Sequence, residues 1–191
     1  MQLILGSSSP FRKQLLAQLQ LEFITDSPDI DETPLKGESI EELVLRLSIE
    51  KAAEIAKRHD NSLVIGSDQS ALLNGRVLHK PGNHEAAVKQ LKESSGQQVV
   101  FQTGLCLYNT NTGQYHSKLV PFTVTFRQLS DQMIENYLQK EQPYQCAGSF
   151  KSEGLGIALF ESMQGTDPSA LIGLPLIELT NMLNKEGFSV L

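Results

Sequence analysis

Apolar positions along this chain change period from one segment to the next, and the changes predict the order of elements. Gln2 to Leu5 is a short apolar run that ends in Gly6. Three serines and Pro10 follow, and then Phe11, Leu15, Leu16 and Leu19 recur at helical spacing, so the start reads as strand, tight turn, helix. Glu22 to Thr25 is a candidate second strand, and Asp26 to Glu38 is an acidic loop that is either exposed or holds a cation. Ser39 with Glu42 three positions later forms a capping box. It opens a long helix whose apolar face carries Ile40, Leu43, Val44, Leu47 and Ile55 and which ends near Arg58. Lys51 interrupts that face, since at about 100° per residue it projects within about 20° of Ile40.

Leu63 to Ile65 reads as a buried central strand that stops at Gly66-Ser67-Asp68-Gln69. Asn74-Gly75 between Ala71 to Leu73 and Val77 to Leu78 is a hairpin signal, because both turn residues tolerate the left-handed backbone such a turn needs. Lys80-Pro81-Gly82 is a break, and Glu85 to Glu93 a helix stopped by Gly96. Gln98 to Tyr108 and Tyr115 to Leu129, joined by a turn at Asn109 to Gly113, predict a long antiparallel pair. Ser130 opens a helix through Lys140, Cys146 to Gly156 is glycine-rich, and Ile157 to Phe160 is expected as a strand. Gly165 to Ser169 reads as a turn and Pro175 to Lys185 as a final helix closed by Gly187. The expected class is α/β with a mixed, strongly twisted sheet.

Hydrophobic residues make up 40% of the 191 and charged residues 20%, which excludes disorder. The net charge of -6 has the wrong sign for a protein that rides on a nucleic acid backbone, so any phosphate site must be local and no nucleic acid polymer is expected as partner. No stretch approaches the ~20 apolar residues of a membrane span, and the first apolar run is too short for a signal peptide. A cytoplasmic protein is expected. In a reducing compartment Cys106 and Cys146, both in apolar surroundings, read as buried free thiols. The four histidines, at 59, 79, 84 and 116, lack metal or catalytic spacing and read as surface or structural groups.

Candidate chemistry gathers at a few places. Gly6 to Lys13 ends a strand in glycine and hydroxyls, among them Ser7 and Ser9, and opens a helix whose first turn carries Arg12 and Lys13. A bound phosphate would relieve the conflict between those bases and the helix dipole. A serine cap with proline at the first helical position and two solvated bases explains the stretch equally well. Asp68, expected at the carboxyl end of a buried strand, is either a ligand-facing carboxylate or a turn cap. Lys51 either snorkels to water or points an ammonium inward, and Lys80 is a loop lysine. With Glu32 and Glu153, the carboxylates and bases together suggest a magnesium–nucleotide site, where hard cations take oxygen ligands and bases neutralise phosphate.

Read together, LILGSSSPFRKQLL, DETP, RLSIEKA, VIGSDQ, HKP, CAGSFKSEG and IGLPL resemble, in order and over essentially the whole chain, the Maf family of nucleotide pyrophosphatases. The resemblance implies one Maf-like domain over residues 1–191, two-lobed and similar to inosine triphosphate pyrophosphatases, with an active cleft between the lobes and commonly a homodimer. It implies hydrolysis of a small nucleoside triphosphate to monophosphate and pyrophosphate with a divalent cation, Mg2+ or Mn2+. Asp68 then matches the proton acceptor and a metal ligand, Glu32 an acidic residue at the metal, and Ser7, Ser9, Arg12, Lys51 and Lys80 the phosphate-contacting groups. Phe11, Gln69 and Glu153 stand where the family sorts substrates by base. There the dTTP and UTP branch carries Arg, Thr and Gln, whereas the 7-methyl-GTP branch carries an aromatic residue, usually Trp, with Gln and Glu. The expected activity is that of the second branch. The alternatives are a broader pyrophosphatase for canonical or modified nucleotides and a nucleotide-binding regulator of septum formation.

Overall fold

A computed structural model describes residues 1–191. Its strands are β1 (Gln2–Gly6), β2 (Phe23–Asp26), β3 (Ser62–Leu73), β4 (Arg76–Leu78), β5 (Gln98–Asn109), β6 (Tyr115–Phe126) and β7 (Phe160–Gly165). The helices are α1 (Pro10–Ala17), α2 (Ile40–Ala56), α3 (His84–Ser94), α4 (Asp131–Glu141) and α5 (Leu176–Lys185), with short 3-10 turns at Ala147–Ser149, Leu155–Leu159 and Pro168–Ile172. The strands form one mixed sheet in the order β2-β1-β3-β5-β6-β7, with β4 paired to β3. The α/β class and the mixed sheet are as expected from the sequence. No helix is long and apolar enough to cross a membrane.

The chain divides into two compact units, residues 1–69, 102–120 and 167–191 in the first and residues 70–101 and 121–166 in the second. In the first, β1 pairs in parallel with β2 and with β3, Leu5 lying opposite Thr25 and Ile65. Alternation along these strands builds two apolar layers. Leu3, Leu5, Leu63, Ile65, Leu105 and Leu107 pack with Leu15 and Leu16 of α1 and with Leu179 and Leu183 of α5. On the other face Ile4, Val64 and Cys106 pack with Ala52 and Ile55 of α2. The helix can come this close because Gly66 and Gly104 present no side chain to it. A Cβ at Gly66 would sit 2.1 Å from the Ser48 carbonyl oxygen, and one at Gly104 2.1 Å from that of Val44.

In the second unit Asn74 and Gly75, at φ 51° and 77°, turn β3 into β4 as the hairpin signal predicted. Its core joins aliphatic side chains such as Leu91, Ile134 and Leu138 to a cluster of aromatic rings. Phe150 meets Phe101, Phe126 and Phe160 edge to face at centroid distances of 5.4, 5.6 and 4.9 Å.

Three sequence expectations are corrected. β3 does not stop at Gly66 but runs from Ser62 to Leu73, so Asp68 lies within a strand and not after one. The glycine serves helix packing there, and only the parallel pairing to β1 ends, at Ile65. Residues 157–159 belong to a 3-10 turn, and the strand begins at Phe160, where pairing of Phe160 with Phe126 starts the ladder to β6. Cys146 is half-buried where a buried thiol was expected, although both cysteines are free and burial pushes the Cys106 thiol up to about 12.

Candidate active site

Strand alternation sorts Gly66-Ser67-Asp68-Gln69 into two pairs with opposite neighbours. Gly66 faces α2, and the backbone approach it permits there is between Ser48 and Ala52, which flank Lys51. Asp68, two residues on, faces the same way and meets that lysine. Lys51 Nζ donates to Asp68 Oδ1 at 2.6 Å and also pairs with Glu32 Oε1 at 2.7 Å. The Lys51 side chain is 9% exposed, Asp68 14% and Glu32 59%, so the pair is enclosed on the protein side and open on the loop side. The ammonium on the apolar stripe therefore points inward. A charge so enclosed is tolerable only with partners, and it has two.

Ser67 and Gln69 face the opposite way, toward the segment between β7 and α5. Ser67 Oγ lies 2.9 Å from the Gly104 carbonyl oxygen and 2.8 Å from that of Gly173. Gln69 Nε2 donates to Thr103 Oγ1 at 2.9 Å and to the carbonyls of Ala170 and Leu171 at 2.6 and 3.3 Å.

The start of α1 adds a second cation. Ser9 is the N-cap and Pro10 stands in the first turn, with the Ser9 hydroxyl accepting from the Arg12 N–H at 3.4 Å and the buried Ser7 hydroxyl accepting from the Ser9 N–H at 3.1 Å. The capping reading is thus realised in the structure, but only Lys13 is exposed as a solvated base. Arg12 is half-buried and its Nε donates to the Gly173 carbonyl at 2.7 Å. Burial lowers the guanidinium below its usual range, and the negative charges of Asp68 and then Glu32 work against that shift. Gly173, at φ 114°, can occupy its left-handed turn and leave room for Arg12, whose Nε would lie 3.3 Å from an added Cβ. Phe11 is half-buried one residue before.

Two of the four other acids of this loop are neutralised by protein bases. Arg46 bonds both carboxylate oxygens of Glu38 at 2.6 and 2.8 Å, and Arg58 bonds both of Asp26 at 2.8 and 2.9 Å. Glu32, with only Lys51, is the acid of this loop that is held at the Asp68 cluster. No group of three or more acidic, histidine or cysteine side chains converges to hold a metal. The donor set that does exist, two carboxylates meeting on one cation, suits a hard divalent ion whose other ligands come from phosphate oxygens and water.

The first unit therefore holds Ser7, Ser9, Phe11, Arg12, Glu32, Lys51, Asp68 and Gln69, of which Glu32, Lys51 and Asp68 meet with Arg12 beside them, while Gln69 turns to the segment at 170–171. Lys80 and Glu153 belong to the second unit, where both are exposed. Lys80 precedes a loop tied by the Gly82 N–H to the Tyr144 carbonyl at 2.9 Å, and Glu153 follows Lys151, which pairs with Glu141 at 3.3 Å. Sequence reasoning missed Ser67, Thr103 and the carbonyls at 170–173. Thr103 has no signal of its own, since threonine is ordinary in a strand, while IGLPL marked the last segment without showing its use.

A protein named 7-methyl-GTP pyrophosphatase from Nitrosococcus oceani is 57% identical over 189 residues, covering 99% of this chain and 95% of its own. Proteins of the same name from Methylobacillus flagellatus, at 56% identity over 99% and 98% of the two chains, and Vibrio vulnificus, at 53% over 100% and 97%, are nearly as similar. A solved structure of the Staphylococcus aureus Ham1 protein overlaps in part, with 18% identity, coverage of 69% and 73%, and a TM-score of 0.46. The family model for Maf-like protein matches residues 2–186, and the chain belongs to that family.

Proposed function

We propose that this chain is a nucleoside triphosphate pyrophosphatase that converts 7-methyl-GTP to 7-methyl-GMP and pyrophosphate. The observation that carries the reading is the Lys51 ammonium held between Asp68 and Glu32 with Arg12 beside them, on a chain 53–57% identical to proteins of that name. In the proposed reaction water attacks the α-phosphorus, Asp68 accepts its proton, and Arg12 and Lys51 offset the charge that develops as pyrophosphate leaves. Ser7 and Ser9 line the phosphate end at the start of α1. Glu32 and Asp68 would hold Mg2+ or Mn2+, which would supply further neutralisation of phosphate charge.

For the base, methylation at N7 makes guanine cationic, and the half-buried Phe11 ring suits such a cation by cation–π attraction. Gln69 supplies a polar contact to the base edge. For Lys80 and Glu153 the proposal rests on side-chain chemistry alone, a base for phosphate and an acceptor for the donors of guanine. The family resemblance favours a cytoplasmic enzyme and a homodimer that takes free nucleotides as substrate.

Pyrophosphate release from 7-methyl-GTP, GTP, dTTP, UTP, CTP and ITP with Mg2+ or Mn2+ tests the proposal. A strong preference for 7-methyl-GTP is expected. Activity on dTTP and UTP alone would overturn the base assignment and leave the reaction standing, and no turnover of any triphosphate would favour a nucleotide-binding regulator.

A further inference from the structure

The segment Asp167–Gly173 offers the site no charged group, yet its backbone holds side chains from three other elements. The Gly173 carbonyl accepts from Arg12 and Ser67, and the Ala170 carbonyl accepts from Gln69 and, at 3.0 Å, from Thr103 Oγ1. The segment is itself tied down. Asp167, 2% exposed, accepts through Oδ1 from the Ser169 N–H and hydroxyl, and through Oδ2 from the N–H groups of Ile177 and Glu178 in the first turn of α5. Helix α5 lacks a cap from its own Pro175, so this buried carboxylate joins turn and helix in one rigid piece.

That rigidity determines which way the Gln69 carboxamide faces. Carbonyl oxygens only accept, and the single proton of the fully buried Thr103 hydroxyl goes to Ala170, leaving its oxygen able only to accept. The group facing Thr103, Ala170 and Leu171 must therefore be the NH2 of Gln69, because the flipped amide would set an oxygen against two carbonyls and could be satisfied at Thr103 only by taking its proton from Ala170. Within the first unit the Gln69 Oε1 atom receives no hydrogen bond. We infer that Thr103 is a positioning residue that acts through Gln69, fixing its carboxamide so that it offers only the carbonyl oxygen and reads a hydrogen-bond donor on the base. In guanine that donor is the N1–H or the 2-amino group. This rests on the nucleotide reading above and extends it to the polarity of the contact.

The test uses nucleoside monophosphates, which bind without being consumed. Dissociation constants for GMP, IMP, which lacks the 2-amino group, and N1-methyl-GMP, which lacks N1–H, are measured for wild type, Thr103→Val and Thr103→Ser. Wild type is expected to prefer GMP over at least one of the others by about tenfold or more, since losing the donor leaves an acceptor unpaired. Thr103→Val should reduce that ratio to about threefold or less, Thr103→Ser should restore it, and Thr103→Val should change nothing further in a Gln69→Leu background. A ratio unchanged in Thr103→Val, an equal weakening of all three ligands, or an effect that adds to that of Gln69→Leu would overturn the inference. Should Thr103→Val not fold, Thr103→Ala removes the same hydroxyl. It is expected to reduce the GMP preference likewise, and full retention would overturn the inference. Failure of the broader reading looks different, as wild type would then release no pyrophosphate from any triphosphate whatever its base preference in binding.

Discussion

The two units of this chain fill their interiors with different materials. The first buries Lys51, Ser67, Thr103 and Asp167 among its aliphatic layers, and each is held by hydrogen-bonded or charged partners. The second closes its core with Phe101, Phe126, Phe150 and Phe160, which need no partners beyond one another. Aromatic burial of phenylalanine needs no hydrogen-bond or charge partner, whereas a buried charge costs several kcal/mol unless geometry compensates it. A protein accepts that cost where the charge is used. The buried Lys51–Asp68 pair lies in the first unit, and a core ring of the second lets the effect of lost stability on activity be measured by itself.

The largest effect is expected at Asp68. Replacement by Asn keeps the side chain's shape and removes the proton acceptor, and pyrophosphate release should fall by about a thousandfold or more. Lys51 retains Glu32, so urea unfolding should show a much smaller change than the activity does. Phe126→Ala is the counterpart in the second unit. It removes a ring 1% exposed that packs against Phe150 and Phe160, and should cost about 3–5 kcal/mol of unfolding free energy, measured by urea unfolding, while kcat, measured well below unfolding, stays within about twofold. A large fall in kcat there would break the division of labour between the units.

Next comes Gly66, where packing and chemistry meet. Gly66→Ala sets a Cβ against the Ser48 carbonyl, so α2 must shift, and Lys51 with it. A loss of about 1–3 kcal/mol in stability is expected from overpacking. Activity should drop about a hundredfold, because a displacement near 1 Å in a positioned group is enough for that. Stability and steady-state kinetics on one preparation check both. Loss of stability without loss of activity would show that the Lys51–Asp68 distance is not what the glycine protects.

The residues just perturbed show where the sequence was readable. Local signals held up well. The Ser39–Glu42 capping box and the Asn74-Gly75 turn are present as read, because each is decided by a few neighbouring residues. Lys51 was visible as a violation of its own helical stripe. Gly66 misled, since a glycine that ends a strand and one that admits a helix look alike in sequence. β7 was placed too early because Phe160–Gly165 is largely polar and exposed, with no alternation to mark it. Thr103 was invisible for a different reason. Its partner Ala170 lies far along the chain, and nothing local to the threonine announces a contact that only the fold creates.

The smallest expected effect concerns acid. The hydrogen bonds from Arg46 hold the Glu38 carboxyl down at about 2, and Asp26 is held well below its usual range by Arg58 and then His59, both in the first unit. Asp31, Glu42 and Glu54 are also lowered, by bonds to Thr33, Ser39 and Lys57, whereas Glu135 is the lowered carboxylate of the second unit. A carboxyl with a depressed folded value contributes stability that is complete above its unfolded value and is lost as pH falls through the folded one. For Glu38 the window runs from about 4.5 down to about 2. The wild-type urea midpoint should therefore fall between about pH 6 and pH 3. In Glu38→Gln the midpoint should start lower and fall less over that interval, because the group that titrates is gone. Followed by hydrogen exchange, the acid-induced loss of protection should begin in the first unit while the aromatic core of the second still holds. Protection lost first around Phe126 and Phe150 would place the acid-sensitive charges in the wrong half of the molecule and undo the contrast between the units.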